Sequence, residues 1–320
     1  MSNPVPVTKV RNPADVVAIV PYLLGFQPTD SIVVVSLQGS RNRLGPCARL
    51  DLVDELGDVP HEVDYLAGIV EQHRFRRVVL VAYSERVDLV EVLMHELIGR
   101  LSADGVTVVE AVRADGTRWW SYVCDDHTCC PSDGTAYDPS TSRVAVEAVA
   151  AGLSRASSRD ALRSVFDPRP DLQARLVGAL SRSPECDVLA VDEAVGRVRS
   201  LLGHRDHLSM QDRADLVRAV QDLAVREAVW SMMTRADAED HFALWLDVLQ
   251  ATPDDLMAPV GGLAAFAAWL TGRGVLASHG AERVLAVHPG YSMAVLLLEL
   301  CAASVNPAVW TKLSSGRAVG

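Results

Sequence analysis

Two runs of branched apolar residues set the tightest limit on the fold: Ser31-Ile-Val-Val-Val-Ser-Leu37 and Val78-Val-Leu-Val-Ala82. Neither alternates apolar with polar residues, so each predicts a strand covered on both faces, as in a sheet packed between helices. Helical patterns flank both runs. Asn12 is placed to cap a helix, Pro13 to occupy its first position and Asp15 its first turn. Pro21 is expected to kink or end that helix, and Gly25 to stop it. The loop over residues 38–43 returns the chain into Leu44–Leu52 as a hairpin. Pro60–His73 reads as a helix with Val63, Leu66, Ala67 and Val70 on one face, and Val87–Leu101 as another. Val106–Val112 then joins Thr117–Val123 through Asp115-Gly116, a strong hairpin signal. The expected fold is α/β, a mixed sheet of about five strands with packed helices.

After Pro131-Ser-Asp-Gly134 the pattern changes, and from Ser142 onward no strand is expected. Helices are predicted over 142–155, 158–166, 170–181, 190–202, 210–234, 237–250, 259–271, 275–287 and 291–303. Ser209-Met-Gln-Asp212 resembles a capping box with Asp in place of Glu or Gln. The chain therefore divides into an α/β domain over 1–139, ending in a cysteine-rich turn, and an all-α helical domain over 140–320. Near the end, Ala265, Ala277 and Pro289 fall where tetratricopeptide repeats place small residues and a terminal proline, although Gly261 and Ala268 stand where that pattern has Trp and Tyr. Tetratricopeptide-like packing and an ordinary helical bundle both remain open. Trp230, Trp245 and Trp269 are expected in the helical core.

Charge narrows the partners. The 320 residues carry 30 basic and 41 acidic side chains, a net charge of −11. Splitting at residue 135 gives 12 basic and 19 acidic residues before it and 18 and 22 after it, so neither part conceals a basic stripe. Nucleic acid is thus not an expected partner. The densest basic run, Arg74-Phe75-Arg76-Arg77, precedes a strand and reads as a solvated turn. No stretch approaches the roughly 20 apolar residues of a membrane helix. The apolar run over 16–26 lacks a basic flank and a cleavage site, so a signal peptide is not expected. A cytoplasmic chain with reduced thiols is the expectation.

One segment carries chemistry: Cys124-Asp-Asp-His127-Thr-Cys129-Cys130-Pro131. Thiolates and imidazole at this spacing can wrap a tetrahedral zinc, giving Cys124, His127, Cys129 and Cys130 as candidate ligands. Adjacent cysteines are expected to diverge, in which case Asp125, Asp126, His61, Cys47 or Cys186 would complete the set. Two other readings stay open, a redox pair among the three thiols and simple packing of a turn beneath Trp119 and Trp120. His204-Arg-Asp206-His207 matches part of a kinase catalytic loop, but without the glycine-rich loop, strand lysine or Asp-Phe-Gly it reads as a polar inter-helix loop. Phosphate-binding, dinucleotide, nucleophile-elbow and His-Glu-x2-His motifs are missing from the sequence. Loops at strand carboxyl ends, at 36–38 and 83–85, are the default ligand positions of such a sheet, with Glu85 a possible base there and otherwise a helix-start residue.

Residues 13–26, Pro-Ala-Asp-Val-Val-Ala-Ile-Val-Pro-Tyr-Leu-Leu-Gly-Phe, with Pro28 and Asp30-Ser-Ile-Val-Val34, resemble the opening motif of the actinobacterial domain-of-unknown-function 4192 family. Trp119-Trp-Ser-Tyr-Val-Cys124 with Cys129-Cys-Pro131 and Gly134 is similar to its second motif. Trp269-Leu, residues 289–294 and Pro307 with Trp310 are similar to its end. The resemblance implies a bacterial, intracellular setting and carries Cys124, Cys129 and Cys130, but brings no established activity. The family usually has His where this chain has Gln27, and Pro or another residue in place of His127. With only Lys9 and Lys312 as lysines, the arginine bias agrees with that lineage.

The functional expectation is a non-enzymatic regulatory or interaction module that takes a protein partner through its helical domain. The alternative is a zinc-binding or redox-sensing enzyme or small-molecule sensor that uses the cysteine cluster.

Overall fold

The computed structural model describes residues 11–39, 42–150, 155–182, 190–203 and 208–310. The chain forms two compact units, Asn3–Arg159 and Asp160–Gly320.

The first unit is built on a mixed six-stranded sheet in the order β2-β1-β3-β4-β5-β6. Its strands are β1 Ser31–Gln38, β2 Arg43–Asp51, β3 Arg77–Tyr83, β4 Thr107–Ala114, β5 Arg118–Ser121 and β6 Thr135–Ala136. Only β3 and β4 pair in parallel, joined by helix α3 (Val87–Ala103), while the remaining pairs are antiparallel. Strand β6 is the addition to the five strands expected. At two residues it is too short to show a period, and it exists by pairing Arg118 with Ala136 and Trp119 with Thr135.

Both faces of the sheet are covered, as the unbroken apolar runs require. Ile32, Val34, Val78, Leu80 and Ala82 point into a core filled by α2 (Val59–Gln72) and by Leu89, Val90, Leu93, Met94 and Leu97 of α3. Alternate residues Val33, Val35, Val79 and Val81 are equally buried on the opposite face. Helix α1 (Pro13–Leu24) is tied to that face through Tyr83, and α4 (Arg143–Ala150) packs on α1 through Ala18, Ile19, Val144 and Ala148.

Helix α1 shows how the local code works. Asn12 Oδ1 accepts from the Asp15 amide at 2.9 Å, and Gly25, at φ +83°, closes the helix by donating to the Pro21 carbonyl at 2.9 Å. Pro21 lies inside the helix without ending it. Having no N–H, it leaves the Val17 carbonyl without its usual partner. The buried Tyr83 hydroxyl donates to that carbonyl at 2.7 Å, so β3 repairs the break.

The second unit holds α5 Arg159–Arg163 (whose first residue closes the first unit), α6 Pro170–Arg182, α7 Val191–Leu201, α8 Met210–Ala219 and α9 Leu223–Met232. Helices α10 Ala238–Ala251, α11 Met257–Leu270, α12 Gly274–Val287 and α13 Ser292–Ala302 follow, each packed on the next. Every residue of α11 is buried, which makes it the axis of the unit. It comes close to α12 because Gly280 has no side chain, a Cβ there lying 3.0 Å from Ala265 Cβ and 2.9 Å from Phe166. Trp245 and Trp269 are core residues, and half-buried Trp230 stacks on Trp310 beside Phe266. The capping box at Ser209 and Asp212 is present.

The single helix expected over 210–234 is two helices. The chain breaks after Ala219, and Asp222 restarts it by accepting from the amides of Ala224 (2.8 Å) and Val225 (3.1 Å). Among the described residues, no helix is long and apolar enough to cross a membrane.

Candidate functional site

The cysteine loop connects β5 to β6, so both of its ends are fixed by sheet pairing. Asp115 Oδ1 accepts from the Thr117 and Arg118 amides and sets the tight turn before β5, with Gly116 at φ +101°. At the start of the loop, Ser121 Oγ accepts from the Cys124 amide at 3.2 Å and donates to Glu110 at 2.8 Å. At its end, Arg118 Nη1 donates to the Asp133 and Gly134 carbonyls at 3.1 and 2.7 Å. Trp120 closes the wall, its Nε1 donating to the Ser132 carbonyl at 3.2 Å.

Within the loop, Asp126 organises the turn. Its carboxylate accepts from the amide and hydroxyl of Thr128, and its carbonyl accepts from the amides of both Cys129 (3.0 Å) and Cys130 (2.7 Å). The bonds from the Thr128 hydroxyl and amide hold the Asp126 carboxyl below its ordinary value. The bonds to its carbonyl bring the neighbouring thiols together. The sulfurs of Cys129 and Cys130 are 3.8 Å apart, and those of Cys124, Cys129 and Cys130 all lie within 4.8 Å of one another. The divergence expected of adjacent cysteines does not occur in this turn.

These spacings have a chemical meaning. Ligands at the corners of a tetrahedron, each about 2.3 Å from a zinc ion, stand roughly 3.8 Å from one another. A disulfide needs sulfurs about 2.05 Å apart, and all three cysteines are free. Removal from solvent, together with hydrogen bonds that its S–H makes with Cys124 and Cys129, pushes the Cys130 thiol up to about 12. A divalent cation among the three sulfurs would reverse that trend, because a coordinating thiol is deprotonated outright.

His127 is exposed and is not one of the donors within that 4.8 Å set, yet it lines the same pocket of about 210 Å³ as Cys124, Cys130, Asp125, Trp120 and Ser132. Among the described residues, the other suggested fourth ligands are not part of the cluster. Asp126 is committed to Thr128, and His61 sits exposed on α2. Cys47 lies on β2, four strands from β5 and thus roughly 19 Å away along the sheet. Burial pushes its thiol up to about 11. Cys186 and the His204, Asp206 and His207 group lie outside the described residues.

Two residues support the cluster from behind, Arg113, which belongs to no motif, and Gly134, which belongs to the second one. Arg113 on β4 pairs directly across from Trp120, its guanidinium 3.7 Å from the ring centroid, and it is almost wholly buried while donating to the Ser84 carbonyl. Gly134 lies against the same ring, at φ +78°, where a Cβ would sit 2.4 Å from Trp120 Cε2. The cross-strand position of Arg113 follows from the Asp115-Gly116 turn, so register alone is the signal that points to it.

The default loops at the strand carboxyl ends hold no comparable cluster among the described residues. Ser84 donates to Asp30 at 2.6 Å, and Glu85 is an exposed residue just before α3. The basic run at 74–77 spans the turn from α2 into β3.

Comparison with curated proteins and with solved structures finds no match for this chain. A family model does match, over residues 13–308, and it takes in both units and the whole cysteine loop. The chain belongs to the family described as a domain of unknown function, DUF4192.

Proposed function

We propose that the chain is a metal-braced, non-enzymatic module in which Cys124, Cys129 and Cys130 bind one thiophilic divalent ion, with zinc the best fit and His127 the fourth ligand. The observation that carries this reading is the convergence of three sulfurs within 4.8 Å on a loop whose two ends are held by paired strands. Three thiolates and one imidazole make a closed set of the structural kind, and His127 is taken as the fourth ligand because it lines the same pocket as Cys124 and Cys130. Binding would convert the protonated Cys130 to a thiolate and release protons. Such a site needs a compartment that keeps thiols reduced, which fits a cytoplasmic protein.

The helical unit supports the partner half of the reading. Val295 and Leu296 are both exposed on α13, and the close approach of α11 and α12 at Gly280 and Ala265 supports reading them as a tetratricopeptide-like pair.

Elemental analysis of protein purified without added metal is the test. One zinc per chain, lost in Cys124→Ser and in Cys129→Ser, is the expected result. A wild-type chain with no bound metal, or variants that keep it, would overturn the reading.

A further inference from the structure

We propose that hydrogen peroxide switches this site by closing a Cys124–Cys129 disulfide and expelling the metal, an inference that rests on the metal reading above. The geometry selects the pair. Cys129 is the exposed member of the three thiols, whereas Cys124 and Cys130 are half-buried and line the pocket. Peroxide reaches Cys129 first.

Its bridging partner is set by the backbone. Cys129 and Cys130 are neighbours, and consecutive Cα atoms across a trans peptide stand about 3.8 Å apart. Unstrained disulfides need about 4.4–6.8 Å between Cα atoms, so a bridge between neighbours is disfavoured however close their sulfurs are. Cys124 is five positions away across the turn, with its sulfur in the same cluster. Bridging it to Cys129 requires an approach of no more than about 3 Å, from the 4.8 Å limit to bond length, within an exposed turn.

The chemistry balances with peroxide as the only co-reactant. The Cys129 thiolate attacks one peroxide oxygen, the O–O bond breaks, and the leaving hydroxide takes a proton to become water. The Cys124 thiolate then attacks the Cys129 sulfenic sulfur, the S–S bond forms, and a second hydroxide leaves as water. The two sulfurs together lose two electrons, and the peroxide gains them. The metal is left with Cys130 and His127 from its donor set, too few to hold it, and Cys130 takes up a proton as the ion departs.

The experiment treats the full-length, zinc-loaded chain with a small excess of hydrogen peroxide. Released zinc is followed with a chromogenic chelator, and the disulfide is mapped by mass spectrometry. The expected result is stoichiometric zinc release in step with a Cys124–Cys129 bridge, with both reversed by dithiothreitol and added zinc. Retention of zinc, its loss with sulfinic acid and no bridge, or a bridge through Cys130 would overturn the proposal while leaving the metal reading intact. A chain with no zinc before peroxide is added would overturn both.

Discussion

The hydroxyl of Tyr83 donates to the carbonyl of Val17 at 2.7 Å, filling the place left by Pro21, which has no N–H to offer one turn further along α1. One side chain on the sheet thus makes a proline tolerable in the middle of a buried helix. Tyr83→Phe strands that carbonyl away from water and is expected to destabilise the first unit by about 1–3 kcal/mol. Pro21→Ala restores the helical donor, so the Tyr83→Phe penalty should shrink in its presence. Denaturant unfolding of the four chains gives the coupling, and equal Tyr83→Phe penalties in both backgrounds would contradict the account.

Trp120 and Gly134 form the second tight contact. At φ +78°, with a would-be Cβ 2.4 Å from the indole, Gly134→Ala combines backbone strain with a clash against a rigid ring. The expected cost is about 2 kcal/mol or more. Because this contact fixes the end of the cysteine loop, zinc affinity should fall with stability, measurable by competition with a chelator of known affinity.

His241 lies on α10 with no exposure and with neither ring nitrogen hydrogen-bonded. Burial holds its pKa below the ordinary 6.5, outweighing the opposite pull of Asp237 and Asp240. The unfolded chain therefore binds the proton more readily. Its contribution is intact above about pH 6.5 and is lost as pH falls below that value, at up to about 1.4 kcal/mol per pH unit. Urea unfolding at about pH 7.5 and about pH 5.5 should show a smaller drop for His241→Leu than for the parent chain. Equal drops would contradict the assignment.

Gly280→Ala tests the crossing of α11 and α12. Its methyl would meet Phe166 and Ala265 at 2.9 and 3.0 Å. Overpacking should outweigh the gain in helix propensity, for a net loss of about 1–2 kcal/mol. An unchanged unfolding midpoint would mean that the two helices separate freely.

The fold was legible where one residue type has one physical role. Asn12, Pro13 and Gly25 bound α1 as their capping chemistry requires, and Asp115-Gly116 marks the β4–β5 turn. The unbroken runs at 31–37 and 78–82 announce strands buried on both faces. The break between α8 and α9 is hidden by the spacing. Leu216, Val217, Val220 and Leu223 keep helical spacing across the gap between α8 and α9, with no Gly or Pro to interrupt them, and Asp222 before Leu223 was the cap signal available. At the site, residue types identified the cysteine loop, but not the shape of its turn. That Cys129 and Cys130 converge depends on one carbonyl, Asp126, accepting from both amides, a relationship no spacing encodes.

The central claim is that three thiols share one metal ion. X-ray absorption at the zinc edge, on full-length protein purified without added metal, tests it most directly. The account predicts three sulfur neighbours at about 2.3 Å and one nitrogen at about 2.0–2.1 Å, with His127→Ala replacing the nitrogen by water oxygen. A shell made only of nitrogen and oxygen, or protein with no zinc to measure, would contradict it.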